Sequence, residues 1–364
     1  MRNGWKHIRL GDACDIINGR NQKAVEDPSG AYPIYGSGGI MGFANSYLCK
    51  GGTTIIGRKG TINRPLYVEK DFWNVDTAFG LSPKDSIAPR FLFYLCKSIN
   101  WLKYNKSTTL PSLVKSDLLQ IPIYVPSIEE QQRIVDELDL LAGIIDKKNA
   151  QLRNLDALAQ SIFYEMFGDP ITNDKGWPVY HFGELCNTEL GKMLDSKRAS
   201  GAKKPYLCTI NVLWDRIDLS TQKEMLIEED EFERYSVKKG DLLICEGGDI
   251  GRSAIWDRED EMYYQNSLHR VRFDETKMLP EVMLYIFKIL KDRGELDQYG
   301  KGQTIKHLVK KTLLSIPVPV PDIQAQRSFA KKLSSIKDDK ALVQQSLVST
   351  QLLFESRMNK YFND

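Results

Sequence analysis

The chain of 364 residues is poor in the residues from which metal sites, disulfide frameworks and membrane spans are built. It has six cysteines and four histidines, and no two cysteines form a Cys-x-x-Cys pair. Scattered cysteines of this kind indicate free thiols in a reducing compartment. No apolar run approaches the length needed to cross a membrane, and the N-terminus lacks the pattern of a signal peptide. We therefore predict a soluble cytoplasmic protein with no metal site and no membrane contact.

No recognisable catalytic motif is present either. Gly52–Lys59 has the glycine spacing of a phosphate-binding P-loop, but Arg58 replaces its lysine and Lys59 replaces its serine or threonine. The run Asp338–Lys340 imitates part of a nuclease core, but it falls on a predicted long helix. The histidines are far apart in sequence, so no base for a serine or cysteine nucleophile is evident. These absences indicate a binding protein and no catalytic residues.

Charge is distributed unevenly along the chain. Residues 1–125 hold 16 Lys and Arg against 9 Asp and Glu, a net charge of about +7. Two tracts contain no acidic residue, one between Asp85 and Asp117 and one between Asp297 and Asp322, and each holds four or five Lys or Arg. A solvated basic face would explain one such tract. Two tracts at matching places favour the binding of a polyanion.

The sequence contains an internal duplication. The stretch QIPIYVPSIEEQQRIVDEL from Gln120 returns as SIPVPVPDIQAQRSFAKKL from Ser315, an offset of 195 residues. The beginnings also match, with GWKHIRLGDAC at Gly4 and GWPVYHFGELC at Gly176. A period this long indicates duplicated domains. The predicted order is a variable domain (1–125), a constant spacer (126–168), a second variable domain (169–320) and a second spacer (321–364).

Each constant spacer is predicted to be one long helix. In the first copy Ser127 is the N-cap and Glu130 completes a capping box after Pro126, while the second copy keeps Asp322 as the cap. Apolar residues then recur every 3.5 residues over five heptads, as is typical of coiled coils. Two matching helices in one chain pair without losing association entropy. We predict an intramolecular antiparallel coiled coil with a pseudo-twofold axis; helices packed on a globular core and an intermolecular zipper are the alternatives.

The variable domains are predicted to be β-rich, which makes the chain α+β. Each has short strand-like runs separated by Gly and Pro, followed by a helix that begins at Pro89 or Pro280. The predicted strands are YPIYG, TTIIG and PLYVE in the first domain and DLLIC, SAIW and HRVRF in the second.

Candidate nucleic-acid contacts lie in two kinds of loop. One is a glycine-hinged turn after a strand, where arginine and asparagine can contact phosphates or base edges. Its polar residues are Arg58, Lys59, Asn63 and Arg64 in the first domain and Arg252 and Ser253 in the second. The other kind belongs to the acid-free tracts, with Lys106, Ser107, Thr108 and Thr109 in the first and Lys301, Gln303, Thr304, Lys306 and His307 in the second. An ordinary turn with solvated charges is the alternative at each loop.

Over essentially its whole length the chain resembles the DNA-sequence specificity (S) subunit of Type I restriction–modification systems. The resemblance rests on paired domain starts (Trp5, Gly11, Asp12; Trp177, Gly183, Glu184) and on the hinge Leu-x-x-Ile-Pro-x-x-x-Pro-x-x-x-x-Gln (Leu118 to Gln131; Leu313 to Gln326). It rests also on long helices that end in FGD at Phe167 and FND at Phe362.

This resemblance implies two target-recognition domains, each of which recognises one half of a bipartite, asymmetric site in double-stranded DNA. The spacer helices would fix the gap between the halves, and the chain itself would have no catalytic activity and no cofactor. The implied partners are two adenine-methylating modification subunits, which use S-adenosylmethionine, and restriction subunits, which cut DNA with ATP; magnesium is also expected only in the partners. A coiled-coil scaffold with protein-binding end domains, and the detached recognition part of a fused restriction–methylation enzyme, are the alternatives.

Overall fold

The computed structural model describes residues 4–194, 200–302 and 306–363. The chain divides into two compact units, one made of residues 1–150 and 343–364 and the other of residues 151–342. Each unit therefore contains part of both predicted spacer helices. The linear domain boundaries at 125, 168 and 320 describe the repeat in sequence and stay a prediction. No helix within the described ranges is long and apolar enough to cross a membrane.

The first unit is built around a four-stranded sheet. The strands are β1 (Lys6–Arg9), β2 (Cys14–Asn18), β3 (Tyr32–Gly36), β4 (Gly39–Ala44), β5 (Thr53–Gly57), β6 (Leu66–Val68), β7 (Trp73–Asn74), β8 (Ala78–Pro83) and β9 (Pro122–Val125). The larger sheet has the order β2-β8-β5-β6 and the smaller one the order β4-β3-β7, while β1 pairs with β9. Every residue of β5 is buried, which explains why TTIIG lacks the alternation of a half-exposed strand.

The helices of the first unit cover this sheet and lead into the first spacer. They are α1 (Leu10–Ala13), α2 (Pro89–Ser98), a 3₁₀ helix (Trp101–Tyr104), α3 (Lys115–Leu119) and the beginning of α4 (Ile128–Phe167). Pro89 occupies the first turn of α2, as predicted. Phe91, Leu92 and Trp101 are fully buried, so α2 and the 3₁₀ helix supply much of the core over the sheet.

The second unit repeats the topology of the first. Its strands are β10 (Val179–His181), β11 (Cys186–Leu190), β12 (Ala202–Leu207), β13 (Val212–Leu213), β14 (Arg216–Ile217), β15 (Lys223–Ile227), β16 (Ser236–Val237), β17 (Leu242–Cys245), β18 (Ser253–Ile255), β19 (Met262–Tyr264), β20 (Leu268–Phe273) and β21 (Pro317–Pro319). The order β11-β20-β17-β18 reproduces β2-β8-β5-β6, and the parallel pair of β12 with β19 reproduces that of β3 with β7. The duplication therefore extends through the variable domains, whose sequences differ.

The helices of the second unit follow the same plan. They are α5 (Phe232–Tyr235), α6 (Pro280–Asp292), α7 (Lys310–Leu314) and α8 (Ile323–Phe362), with 3₁₀ helices at Phe182–Glu184, Glu229–Glu231 and Glu295–Tyr299. Both α4 and α8 are 40 residues long and begin directly after their predicted caps. The Ser127 hydroxyl accepts the Glu130 N–H at 3.3 Å, and the Asp322 carboxylate accepts the Gln324 N–H at 2.8 Å.

In the first unit the two long helices pack antiparallel through polar as well as apolar contacts. The Lys148 ammonium donates to the Thr350 hydroxyl at 2.7 Å, and Arg357 Nε lies 2.8 Å from Glu137 Oε1. Residue numbers thus fall along α8 as they rise along α4. Thr350 and Arg357, two polar residues at core positions of the heptad repeat in the second spacer, therefore have partners on the facing helix.

The second unit shows the same antiparallel pairing with other residues. The Lys340 ammonium donates to Asp156 at 2.6 Å, and the rings of Phe163 and Phe329 meet edge to face at 5.6 Å. The prediction of an intramolecular antiparallel helix pair is confirmed in each unit. Lys340 also falls at a core position of the heptad repeat, and there it forms an ion pair with Asp156.

A buried glutamine ties the start of each long helix to its unit. Gln131 Oε1 accepts the Ala88 N–H at 2.7 Å, and its amide donates to the carbonyls of Ser86 at 3.1 Å and Pro126 at 3.0 Å. The bonds to Ala88 and Ser86 join α4 to the turn before α2. Gln326 makes the same three contacts in the second unit, with Leu279, Lys277 and Pro321.

Candidate nucleic-acid interface

The candidate loops of the first unit meet at one edge of the larger sheet. Gly57 at the end of β5 is paired with Ala78 at the start of β8, and Asn18 at the end of β2 is paired with Phe79. The loops that follow β2 and β5, and the loop that precedes β8, therefore leave the sheet at the same edge. We call these residues, 18–20, 57–60 and 76–78, the loop edge of the first unit.

The acid-free tract closes on this loop edge. Lys59 and Ser112 form an antiparallel bridge, and the Gly60 N–H donates to the Pro111 carbonyl at 2.9 Å. The Leu113 N–H donates to the Arg58 carbonyl at 2.9 Å. The structure thus brings together the two groups of residues that were predicted separately, the turn after β5 and the loop 106–112.

Side chains on the turn after β5 differ in how they are held. The side chains of Lys59 and Arg64 are exposed and that of Arg58 is half-buried, and none of these three side chains forms a hydrogen bond or ion pair with another described residue. The Asn63 side chain instead accepts the backbone N–H of Trp101 through Oδ1 at 3.0 Å and helps to fix the 3₁₀ helix. The side chains of Arg58, Lys59 and Arg64 are therefore available to a ligand, whereas that of Asn63 is already engaged in a contact within the protein.

The loop 106–112 is shaped by one asparagine. Asn105 Oδ1 accepts the N–H groups of Ser107 at 3.0 Å and Ser112 at 2.8 Å, which holds the two ends of the loop together. Lys106 lies 3.0 Å from Asp117 and shares its charge with that carboxylate. The side chains of Thr108 and Thr109 are exposed. The loop therefore presents hydroxyl groups more freely than it presents its lysine.

The second unit closes its corresponding loop in the same way. Lys301 and His307 exchange backbone hydrogen bonds of 2.9 and 2.8 Å, and Gly247 bridges to His307 as Lys59 does to Ser112. The loop 301–307 thus corresponds to the loop 106–112 with the offset of 195 residues found in the spacers. The side chains of Lys301, Lys306 and His307 are exposed, whereas Gln303 and Thr304 lie outside the described residues.

The turn after β17 corresponds to the turn after β5, but not through the residues that the glycine pattern predicted, Arg252 and Ser253. The Glu246 N–H donates to the Ser267 carbonyl at 3.0 Å, as the Arg58 N–H donates to Thr77 at 2.8 Å. The Leu308 N–H donates to the Glu246 carbonyl, which matches the bond from Leu113 to Arg58. Glu246 therefore occupies the place of Arg58, and Gly247 that of Lys59.

Arg252 and Ser253 lie away from that place. Ser253 is within β18, where its hydroxyl is fully buried, so this structure does not expose the DNA contact that was predicted for it. Arg252 is half-buried, and its guanidinium donates to the Thr209 carbonyl at 2.7 Å. It holds the loop after β12, which leaves it less free than Arg58.

Sequence reasoning missed other polar residues at these edges. Arg20 follows β2 and is exposed, while Lys192 follows β11 at the same place and pairs with Glu231. A Gly–Arg or Gly–Lys dipeptide after a strand was the signal for both. Before β20 lies a half-buried amide and hydroxyl run, Gln265–Ser267.

Two titratable groups of the second unit respond to burial near its loop. Burial raises the pKa of the Glu246 carboxyl, and the nearby His307 partly offsets this effect. Beneath the loop, His269 is fully buried and its Nε2 contacts the Leu308 carbonyl at 2.8 Å. Burial lowers the pKa of His269, so this ring is a neutral structural element.

The loop edge of the first unit and the corresponding loops of the second carry side chains that can bind phosphates and bases. Within the described ranges no three His, Cys, Asp or Glu residues are placed to hold a metal ion. Exposed cations suit the phosphate backbone, while hydroxyl, amide and carboxylate groups suit the donor and acceptor pattern of base edges.

A protein-family model described as the Type I restriction modification DNA specificity domain matches residues 2–155 and 174–348. A putative type I restriction enzyme specificity subunit of Haemophilus influenzae is 24% identical over 346 residues, 92% of this chain and 87% of that protein. The Type I restriction enzyme MjaVIII specificity subunit of Methanocaldococcus jannaschii is 22% identical over 364 residues, 91% of this chain and 86% of that protein.

A solved structure agrees at the level of fold. The S subunit of the type I restriction–modification system of M. genitalium aligns with a TM-score of 0.64 and 18% identity, over 100% of this chain and 98% of that one. The family model spans both repeats and most of the chain. The chain therefore belongs to the family of Type I restriction–modification specificity subunits.

Proposed function

We propose that each unit recognises one half of a bipartite, asymmetric site in double-stranded DNA, and that the chain itself catalyses no reaction. The observation that carries this proposal is the repeated loop arrangement. Both units close an acid-free loop, 106–112 or 301–307, on the turn after the buried central strand with equivalent backbone hydrogen bonds. Equivalent positions on that common framework carry different side chains, so the two units would recognise different base sequences.

Phosphate contacts would be stronger in the first unit. Arg20, Lys59 and Arg64 are exposed there without described ion partners, and Arg58 is unpaired as well. In the second unit Lys192 is paired with Glu231 and Lys306 donates to the Asp297 carbonyl at 3.1 Å. Binding by the first unit should therefore depend more steeply on salt concentration.

The long helices would fix the gap between the half-sites and dock two modification subunits. Large apolar side chains on both helices are exposed to solvent, including Leu140 (65%) and Leu158 (47%) on α4 and Leu342 (65%) and Leu352 (61%) on α8. We infer that these side chains belong to the surfaces that the modification subunits cover. The modification subunits would use S-adenosylmethionine to methylate adenine, and restriction subunits would supply ATP-dependent, magnesium-requiring cleavage in the same cytoplasmic complex.

Co-expression with the cognate modification subunit, followed by mapping of N6-methyladenine in host DNA, tests this proposal. We expect a split motif of two short specified blocks around a fixed unspecified gap. Replacing residues 170–300 with the corresponding segment of another family member should change one block and leave the other intact. A change in both blocks would contradict recognition by separate units.

The same complex distinguishes DNA recognition from a scaffold function. A soluble complex with a demonstrably active methyltransferase but no new methylation would overturn the proposal. So would purified complex that duplex DNA neither binds nor stabilises against heat. Methylation by this chain in the absence of any modification subunit would overturn its non-catalytic role.

A further inference from the structure

One position of the common framework carries opposite charges in the two units. Arg58 and Glu246 each follow the buried central strand, and each accepts an N–H through its backbone carbonyl. Each also donates its backbone N–H to the loop that precedes the neighbouring strand in the sheet, β8 or β20. Because these bonds fix the backbone on both sides, the two side chains leave the framework from corresponding places. A reversal from donor to acceptor at a fixed place changes which base edge can be bound.

We propose that this position determines specificity in both units: Arg58 recognises a guanine and Glu246 recognises a cytosine. The inference rests on the proposed DNA-binding function and extends it to the identity of one base pair in each half-site. In the major groove guanine presents two acceptors, O6 and N7, which match the paired donors of a guanidinium. Cytosine presents an amino donor, N4, which matches a carboxylate.

The surroundings of Arg58 leave its guanidinium free for such a contact. No described residue forms a hydrogen bond or ion pair with it, although it is half-buried. Lys59 is exposed beside it and can hold a phosphate, so Arg58 is not the sole source of positive charge at this turn. An arginine whose backbone is fixed by hydrogen bonds and whose guanidinium has no partner in the described part of the chain suits bidentate recognition of a base.

Glu246 likewise lacks a donor among the described residues. Its carboxylate is half-buried and accepts no hydrogen bond from any of them. At the neighbouring Gly247 an added Cβ would lie 3.1 Å from the His307 ring, so the imidazole packs against the backbone beside the acid. A partly desolvated carboxylate gains from a donor, and burial accordingly raises its pKa. The amino group of cytosine would supply that donor.

The test uses the complete complex with its modification subunit and compares methylated motifs. Arg58→Gln should lower discrimination at one G·C pair of one half-site by about 5- to 150-fold and shift preference there toward adenine. Glu246→Gln should do the same at one C·G pair of the other half-site. Arg64→Gln removes an exposed arginine from the same loop as Arg58 and should weaken methylation uniformly with no change of motif. Glu275→Gln, an exposed acid outside the loop edges, should change neither.

Four results separate the possible failures. A wild-type half-site without a G·C pair, or an Arg58→Gln complex whose methylation weakens with its motif unchanged, would overturn the inference and leave the proposed function standing. A wild-type complex that yields no split motif would overturn the proposed function first. Arg58→Lys guards against misfolding, because it keeps the charge and should still lose discrimination at the same pair. Full discrimination by folded Arg58→Lys would also contradict bidentate recognition.

Discussion

Gln131 is buried at the start of α4, and its side chain makes three hydrogen bonds, two to the turn before α2 and one to the Pro126 carbonyl just before α4. Gln131→Leu should lower the free energy of unfolding by about 1–3 kcal/mol, because the Ala88 N–H and two carbonyls lose their partner inside the protein. Chemical denaturation followed by circular dichroism would measure the change. Gln132→Leu is the matched control, since Gln132 is exposed and should change stability by about 0.5 kcal/mol or less.

His269 makes the stability of the second unit depend on pH. Its ring is buried and its pKa lies below the usual value of 6.5, mainly because burial disfavours the charged form. The unfolded chain therefore binds a proton near that value while the folded chain does not, so stability should decline as pH falls below about 6.5. Thermal unfolding of wild type and His269→Gln at about pH 7.5 and 5.5 would measure this. Equal losses of stability in both proteins would contradict it.

The contacts of single residues were harder to predict from the sequence than the helices and strands. The repeated motif marked Gln131 and Gln326 as identical, but their hydrogen-bond partners on the turns before α2 and α6 lie 43 to 49 residues away in sequence. The glycine pattern suggested Arg252 for the second unit, although backbone hydrogen bonds place Glu246 where Arg58 stands. Loop lengths differ between the units, and only strand register resolves such an alignment.

The end of β5 depends on a glycine for the path of the loop that follows. A Cβ at Gly57 would collide with the Thr61 carbonyl group, which the chain cannot move without opening the turn. Gly57→Ala should therefore lower the free energy of unfolding by about 1–3 kcal/mol. Denaturation with thermal or chemical agents would measure it, with Gly38→Ala as the control. An added Cβ at Gly38 meets no atom within 4 Å, so equal effects of the two changes would contradict the steric argument.

At the scale of elements the sequence was more informative. Periodicity and capping residues predicted α4 and α8, and all six quoted strand-like runs are strands in the structure. Elements of two to five residues, such as α1, α3 and the hairpin of β13 with β14, were not predicted. Their local sequences lack a period long enough to detect, and tertiary contacts determine their conformation.

The first unit is formed by two segments that are far apart in sequence, residues 1–150 and 343–364. Residues 343–362 of α8 supply Phe354, Met358 and Tyr361 to the core of that unit, and they correspond to residues 148–167 of α4. A chain that stops at residue 168 lacks this cover. We expect it to dimerise, with residues 148–167 of each copy covering the other, because Phe163 and Phe167 match Met358 and Phe362. Sedimentation would measure its mass, and a stable folded monomer would contradict the expectation.

A tryptophan near the start of each repeat lies against the end of a long helix or a residue that packs on it. In the first unit Trp5 and Phe362 both pack on Phe91, with ring centroids 6.3 and 5.3 Å away. In the second unit the equivalent Trp177 donates to the Phe167 carbonyl at 2.9 Å across a short covalent link. The two variable domains and the two spacers thus follow one another in a closed cycle, in which the end of the second spacer lies near the start of the first domain. We expect circular permutation, with Phe362 linked to Trp5 and a new opening at 168–176, to keep these contacts. The two recognition segments would then exchange their order along the chain, and the half-sites proposed for them would stay the same.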